Sequence, residues 1–134
     1  MPANHITANC AVLGFVASSG TGKTTLLKQL IPLLKARGLQ LALIKHTHHQ
    51  FDIDTPGKDS YELRQAGAEQ VMVASSRRWA LMVETPNQID DPQLDTLIQH
   101  LDSSALDLIL VEGFKHAAIP KIELHRPVLK KPLL

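Results

Sequence analysis

Residues 17–25, Ala17-Ser-Ser-Gly-Thr-Gly22-Lys23-Thr24-Thr25, bring together the residue types a chain needs to hold a triphosphate. A phosphate chain is bound by several backbone N–H groups aimed inward, so the loop around it must wrap tightly. Gly20 and Gly22 permit positive φ and close backbone approach. Lys23 carries a charge to the β- and γ-phosphates, and the Thr24 hydroxyl can ligate Mg²⁺. The spacing is that of a Walker A loop, with Ala17 in place of the first glycine, where a methyl group still fits a strand-to-loop turn. The motif selects a nucleoside triphosphate without choosing between GTP and ATP. No N-K-x-D or T-K-x-D segment is present to read guanine.

A second acidic site belongs at the end of another buried strand, near the Mg²⁺ shell. Leu108-Ile-Leu-Val111-Glu112-Gly113 fits, with Glu112 as the acid and Gly113 letting the chain leave the strand tightly. Asp107, at the opposite end, reads as a surface residue. A third cluster, His46-Thr-His48-His49-Gln-Phe51-Asp52-Ile-Asp54, follows an apolar run and should stand at a strand C-terminus, where ligand crevices form in parallel α/β sheets. Asp52 or Asp54 could bind Mg²⁺ or orient an attacking water. His46, His48 and His49 could instead hold a transition metal, although no cysteine or dense acidic cluster completes that site. Asp54-Thr-Pro-Gly57 matches the D-x-x-G segment of γ-phosphate sensors, but it reads first as a turn.

These residues need a scaffold, and the patterning supplies one. Ala11–Val16 is a short apolar run suited to a central parallel strand. A helix follows from Lys23 to Arg37, with Leu26, Leu27, Leu30, Leu33 and Leu34 at helical spacing and Gly38 as its C′ residue. Pro32 should kink this helix or shift its hydrogen bonds. Strands are expected at Leu41–Ile44, Leu108–Val111 and Lys121–Leu124. A short helix is expected at Lys58–Ala66, and a hairpin from Gln70–Ala74 and Trp79–Val83 around Ser75–Arg78. Asp91 is placed to N-cap a further helix, with Pro92 at N1 and Leu94, Leu97, Ile98 and Leu101 on its apolar face. The tail after His125 reads as irregular. The fold class is α/β: a P-loop NTPase whose mostly parallel sheet is flanked by helices, with an antiparallel hairpin added.

Length and composition allow one domain over residues 1–134, with 44% hydrophobic and 20% charged residues. A formal net charge of +1 gives no reason to expect nucleic acid or an anionic membrane as partner. The N-terminus lacks a signal-peptide pattern, and no apolar run approaches the roughly 20 residues of a membrane span. Cys10 is the one cysteine, so no intrachain disulfide can form. The expected compartment is the cytoplasm.

The segments SGTGKTTLL, LIKHTHH with FDIDTPGKDSYELRQAGA, RRWALMVETP, LDLILVEGFKH and PKIELHR together resemble the molybdopterin-guanine dinucleotide biosynthesis adaptor family, MobB. The resemblance runs from about residue 11 to 126. It implies a GTP-binding adaptor with weak GTPase activity that assists the guanylyltransferase joining GMP to molybdopterin in molybdenum cofactor biosynthesis. It implies GTP and Mg²⁺ as ligands and a homodimer in which strands of one subunit join the sheet of the other. Carried onto this chain, the phosphate loop is Gly20, Thr21, Gly22, Lys23, Thr24 and Thr25. The Mg²⁺ and switch acids are Asp52, Asp54 and Glu112, flanked by Gly113 and Lys115. Val71–Val73 and Trp79–Val83 suit a subunit contact. Members of the family continue past the KIELHR segment with another strand and helix, so a C-terminally truncated domain is expected here. Three other readings remain open at this point: a small-molecule kinase using Arg64, Arg77 and Arg78 to clamp a second anion, a metal-delivery GTPase using the three histidines, and a truncated, non-hydrolysing binding module.

Overall fold

The computed structural model describes residues 10–18, 21–47, 51, 53–54 and 56–129. They fall into two compact units: those within 1–48 and 92–134, and those within 49–91. In chain order the elements are β1 (Ala11–Ala17), α1 (Lys23–Ala36), β2 (Leu41–Lys45), α2 (Asp59–Gln65), β3 (Gln70–Ala74), β4 (Trp79–Val83), α3 (Leu94–Ile98), β5 (Leu108–Glu112) and β6 (Lys121–Leu124). Short 3₁₀ turns lie at Ser103–Ala105 and Pro127–Leu129.

In the first unit four parallel strands form a sheet in the order β2-β5-β1-β6. β5 is its most deeply buried strand, because Ile109, Leu110 and Val111 are apolar in succession and so can be covered on both faces. Leu110 packs with Phe15 and with Leu27 of α1, while Leu26, Leu30, Ile31 and Leu34 border that cluster. Ile109 and Val111 face the other way, onto Leu94 and Ile98 of α3. Helices therefore cover both faces. Full burial of one such side chain contributes about 1.5–3 kcal/mol.

α1 runs through Pro32 as one continuous helix and ends on a Schellman motif. Gly38, at φ 84°, donates to Lys35 O at 2.9 Å, and Leu39 N donates to Leu34 O at 3.3 Å. α3 differs from expectation. It starts at Leu94, with Gln93 rather than Asp91 at the N-cap position and no side-chain cap. Asp95 within the first turn accepts from Thr96 N at 2.9 Å instead. Burial of Leu94 and Ile98 against β5 sets the register of this short helix, and Leu101 falls beyond its end.

The connection from β5 to β6, residues 113–120, is shorter than the roughly dozen residues a parallel crossover usually needs. Two features permit it. β6 pairs with β1 only from Gly14 onward, whereas β5 pairs from Ala11. Gly14 also has no side chain: a Cβ there would lie 3.0 Å from Ile119 Cδ1 and 3.2 Å from Lys121 Cγ. Lys121 Nζ then donates to the carbonyls of Ala117 and Ile119, satisfying backbone groups in the bend.

The second unit is built from α2 and the antiparallel β3–β4 hairpin, with Met72 opposite Leu81 and Ala74 opposite Trp79. Its turn is closed by Ser75 N donating to Arg78 O at 2.8 Å. None of the buried hydrophobic residues of the described chain lies in this unit. Among the described residues no helix is long and apolar enough to cross a membrane.

The two-sided burial of β5 leads to a direct expectation. Leu110→Ala should destabilise the protein by about 2–5 kcal/mol, because it opens a cavity between β5, β1 and α1. Leu33→Ala, at a position 64% exposed on α1, should stay within about 0.5 kcal/mol of wild type. Urea unfolding of both variants checks the contrast.

Candidate functional site

The phosphate loop leaves β1 at Ala17 and enters α1 at Lys23. Ser19 and Gly20 lie outside the described residues. Thr21 is buried and folds the loop back on itself: its backbone N donates to Ser18 O at 3.3 Å, and its hydroxyl donates to the same carbonyl. Gly22 is the N-cap of α1 at φ 101°, a conformation costly for any residue with a Cβ. No side chain caps this helix and its first turn holds no acid. Its leading N–H groups and its dipole are thus available to an anion. Lys23 and Thr24 occupy that first turn, Lys23 half-buried and Thr24 exposed, with Thr25 exposed beside them.

Glu112 closes the site from the sheet. It is the last residue of β5, pairs with Phe15 of β1 and Lys45 of β2, and is only 7% exposed. Thr24 Oγ1 lies 3.4 Å from Glu112 Oε1, so residues far apart in sequence meet at the mouth of the loop. A hydroxyl and a carboxylate are hard oxygen donors of the kind Mg²⁺ takes, and Mg²⁺ commonly keeps waters and phosphate oxygens in its other positions. The pair fits that ion. Gly113 follows at φ 94° and donates to Phe15 O at 3.0 Å, while His46 N donates to Glu112 O at 2.9 Å. A Cβ on Gly113 would approach His46 Cβ to 3.0 Å. Phe114 also has positive φ, 54°, and its ring stacks on His46 with centroids 4.6 Å apart and planes 28° off parallel. Lys115 is exposed on the same connection.

The other acids stand differently. Asp52, His48 and His49 lie outside the described residues. Asp54 belongs to the second unit, where its Oδ1 takes Arg64 Nη2 at 2.6 Å. Arg64 Nη1 also bonds Glu84 at 2.9 Å, and the guanidinium sits 5.3 Å from the centre of the Tyr61 ring. Arg64, considered above as an anion clamp, is thus engaged by two carboxylates. Arg77 and Arg78 lie in the exposed hairpin turn, where their backbone N–H groups face Ser75 Oγ. Gly57, at φ 90°, donates to Glu62 Oε1 at 3.0 Å, so the last residue of the D-T-P-G segment is tied to α2. Among the described residues no three His, Cys, Asp or Glu side chains converge on one point.

Sequence reasoning did not single out Phe114, Gly14, Lys121 or the Asp54–Arg64–Glu84 group. Only an odd feature, a phenylalanine directly after a strand-ending glycine, could have pointed to Phe114.

A β-strand, glycine-containing loop and uncapped helix facing a buried acid on the adjacent strand make a P-loop NTPase fold. Residues 12–134 match the family described as "Molybdopterin guanine dinucleotide synthesis protein B". The chain belongs to the MobB family. It is 64% identical over 115 residues to the molybdopterin-guanine dinucleotide biosynthesis adapter protein of Escherichia coli strain K12, covering 86% of this chain and 65% of that protein. The Haemophilus influenzae adapter protein is 50% identical over 122 residues, covering 91% and 67%. The crystal structure of Bacillus subtilis MobB superposes with a TM-score of 0.70 at 27% identity, covering 90% of this chain and 72% of that one. The chain thus spans about two thirds of the length of these MobB relatives.

Arg64 beside Asp54 holds its carboxyl below the ordinary value of 3.8. A carboxyl with a depressed folded pKa adds stability above its unfolded pKa and loses it as pH falls through the folded value. The stability gap between wild type and Asp54→Asn should therefore be full near neutral pH and shrink below pH of about 4. Thermal denaturation at stepped pH measures it; a gap independent of pH down to strong acid would contradict the ion pair.

Proposed function

We propose that the chain is a GTP-binding adaptor with weak GTPase activity that assists attachment of GMP to molybdopterin, working in the cytoplasm. The observation that carries this reading is the convergence of Thr24 and Glu112 at the mouth of an uncapped helix behind a positive-φ glycine. Gly20, Thr21, Gly22, Lys23, Thr24 and Thr25 bind the phosphates, with backbone N–H groups doing most of the cradling. Thr24 and Glu112 hold Mg²⁺, and Asp52 is the further acid that the sequence offers. The ion, when bound, neutralises charge on the β- and γ-phosphate oxygens. Lys23 adds a fixed positive charge to the same oxygens.

The switch is the segment around Asp52 and Asp54. Arg64 ties Asp54 to α2, and through Glu84 to the end of β4, so a change in this loop is carried into the hairpin. The guanylyltransferase partner reads that change. The names of the relatives support this place in molybdenum cofactor assembly.

The unit also acts as a homodimer. Met72, Trp79, Leu81 and Val83 share one face of the two-stranded hairpin by register, and Met72 and Trp79 are 59% and 64% exposed. A lone hairpin is marginal in water, and an apolar face of this kind marks an interaction surface. A second copy covers it, with strands of one subunit joining the sheet of the other by two-fold symmetry.

Calorimetric titration with Mg-GTP and Mg-ATP should show preference for GTP, lost in Lys23→Ala. Equal or ATP-favoured binding would overturn the GTP assignment. Light scattering should give a dimer for wild type and a monomer for the Met72→Glu, Trp79→Glu double variant; a monomeric wild type would remove the dimer.

A further inference from the structure

Glu112 is held at its backbone from three sides. Its carbonyl accepts from His46 N at 2.9 Å, its strand neighbours are β1 and β2, and the next residue, Gly113, donates to Phe15 O at 3.0 Å. The chain then turns away through two successive left-handed residues, Gly113 and Phe114. Glycine adopts that conformation freely, but phenylalanine does not, and a strained backbone persists only where its surroundings over-determine it. Phe114 packs against the cluster of Leu94, Ile98, Ile109 and Val111, and its ring stacks on the imidazole of His46 at 4.6 Å. His46 therefore bears on Glu112 twice, through its own N–H and through the ring of Phe114. There is no slack between these contacts, since a single added carbon on Gly113 would meet His46 Cβ at 3.0 Å.

We infer that His46 and Phe114 are positioning residues that aim the Glu112 carboxylate at a divalent cation shared with Thr24. This rests on the reading of Thr24 and Glu112 as cation ligands. The pair sets where a ligand's backbone sits, and residues that orient metal ligands in this way typically change metal affinity by about 10–100-fold when removed. Two hydrogen bonds that shape the described part of the phosphate loop, from Thr21 to Ser18 and from Leu26 to Gly22, involve neither residue. Loss of the stack should accordingly weaken the cation and spare the nucleotide.

The test titrates GTP calorimetrically in EDTA, then titrates Mg²⁺ into the GTP-loaded full chain. The proteins are wild type, His46→Ala, His46→Phe, Phe114→Gly and Phe114→Tyr, with thermal denaturation alongside. Phe114→Gly keeps a residue that accepts positive φ and removes only the ring; His46→Phe and Phe114→Tyr keep a stacked pair. Half-saturating Mg²⁺ should rise about tenfold or more in His46→Ala and Phe114→Gly and stay near wild type in the two ring-retaining variants. Metal-free GTP affinity should be the same throughout. An unchanged Mg²⁺ requirement overturns the inference, as does an equal loss of metal-free GTP affinity, which would mark the stack as packing alone. A wild type whose GTP binding ignores Mg²⁺ would instead overturn the underlying assignment of Thr24 and Glu112.

Discussion

Burial of β5 on both faces, with parallel neighbours on both edges, is the constraint on which the rest of the architecture depends. Ile109 and Val111 face α3 while Leu110 faces α1, so the strand cannot slip by one residue without exchanging its two cores. That register delivers Glu112 level with Phe15 and Lys45 at the C-terminal ends of β1 and β2. The same leucine contacts seat α1 against β1 and β5, which brings Thr24 to within 3.4 Å of Glu112. A hydrophobic requirement in the centre of the sheet thus fixes the polar geometry at its edge.

Around that point the chain leaves the sheet abruptly. Gly113 and Phe114 carry positive φ where β5 gives way to a loop, Gly22 carries it where the phosphate loop enters α1, and His46 is pressed between the ends of β2 and β5. Tight exits shorten the distance between backbone and ligand, which favours phosphate binding, and they transfer strain to side-chain contacts such as the His46–Phe114 stack. The same economy of chain governs the crossover to β6, where Gly14 clears the way and Lys121 satisfies the carbonyls it passes.

The hairpin unit obeys different physics. It has no buried apolar side chain among its described residues, and its internal order comes from the β3–β4 ladder and from Arg64 spanning Asp54 and Glu84. Charged pairs of this kind define geometry more than they stabilise it. Such a unit suits an element whose conformation answers to a ligand or a partner.

Much of this was legible in the residues. Apolar runs, leucine spacing and glycine placement were enough to locate the strands and helices, because they depend on local periodicity and on single-residue backbone limits. The β3–β4 hairpin and the Schellman end of α1 at Gly38 follow from such local rules. Glu112 was singled out because it ends an apolar run and precedes a glycine, and the structure buries it at the end of β5. Tertiary structure alone decided three things. The start of α3 moved from Asp91 to the residues after Gln93, because contact of Leu94 and Ile98 with β5 outweighed a capping preference. Arg64 became the partner of Asp54 and Glu84, since a charge's partner depends on which loops the fold brings alongside it. Phe114 took a left-handed backbone that its residue type opposes, held by its stack on the His46 ring and its packing on the cluster of β5 and α3, and no local rule carries information from residue 46 to residue 114.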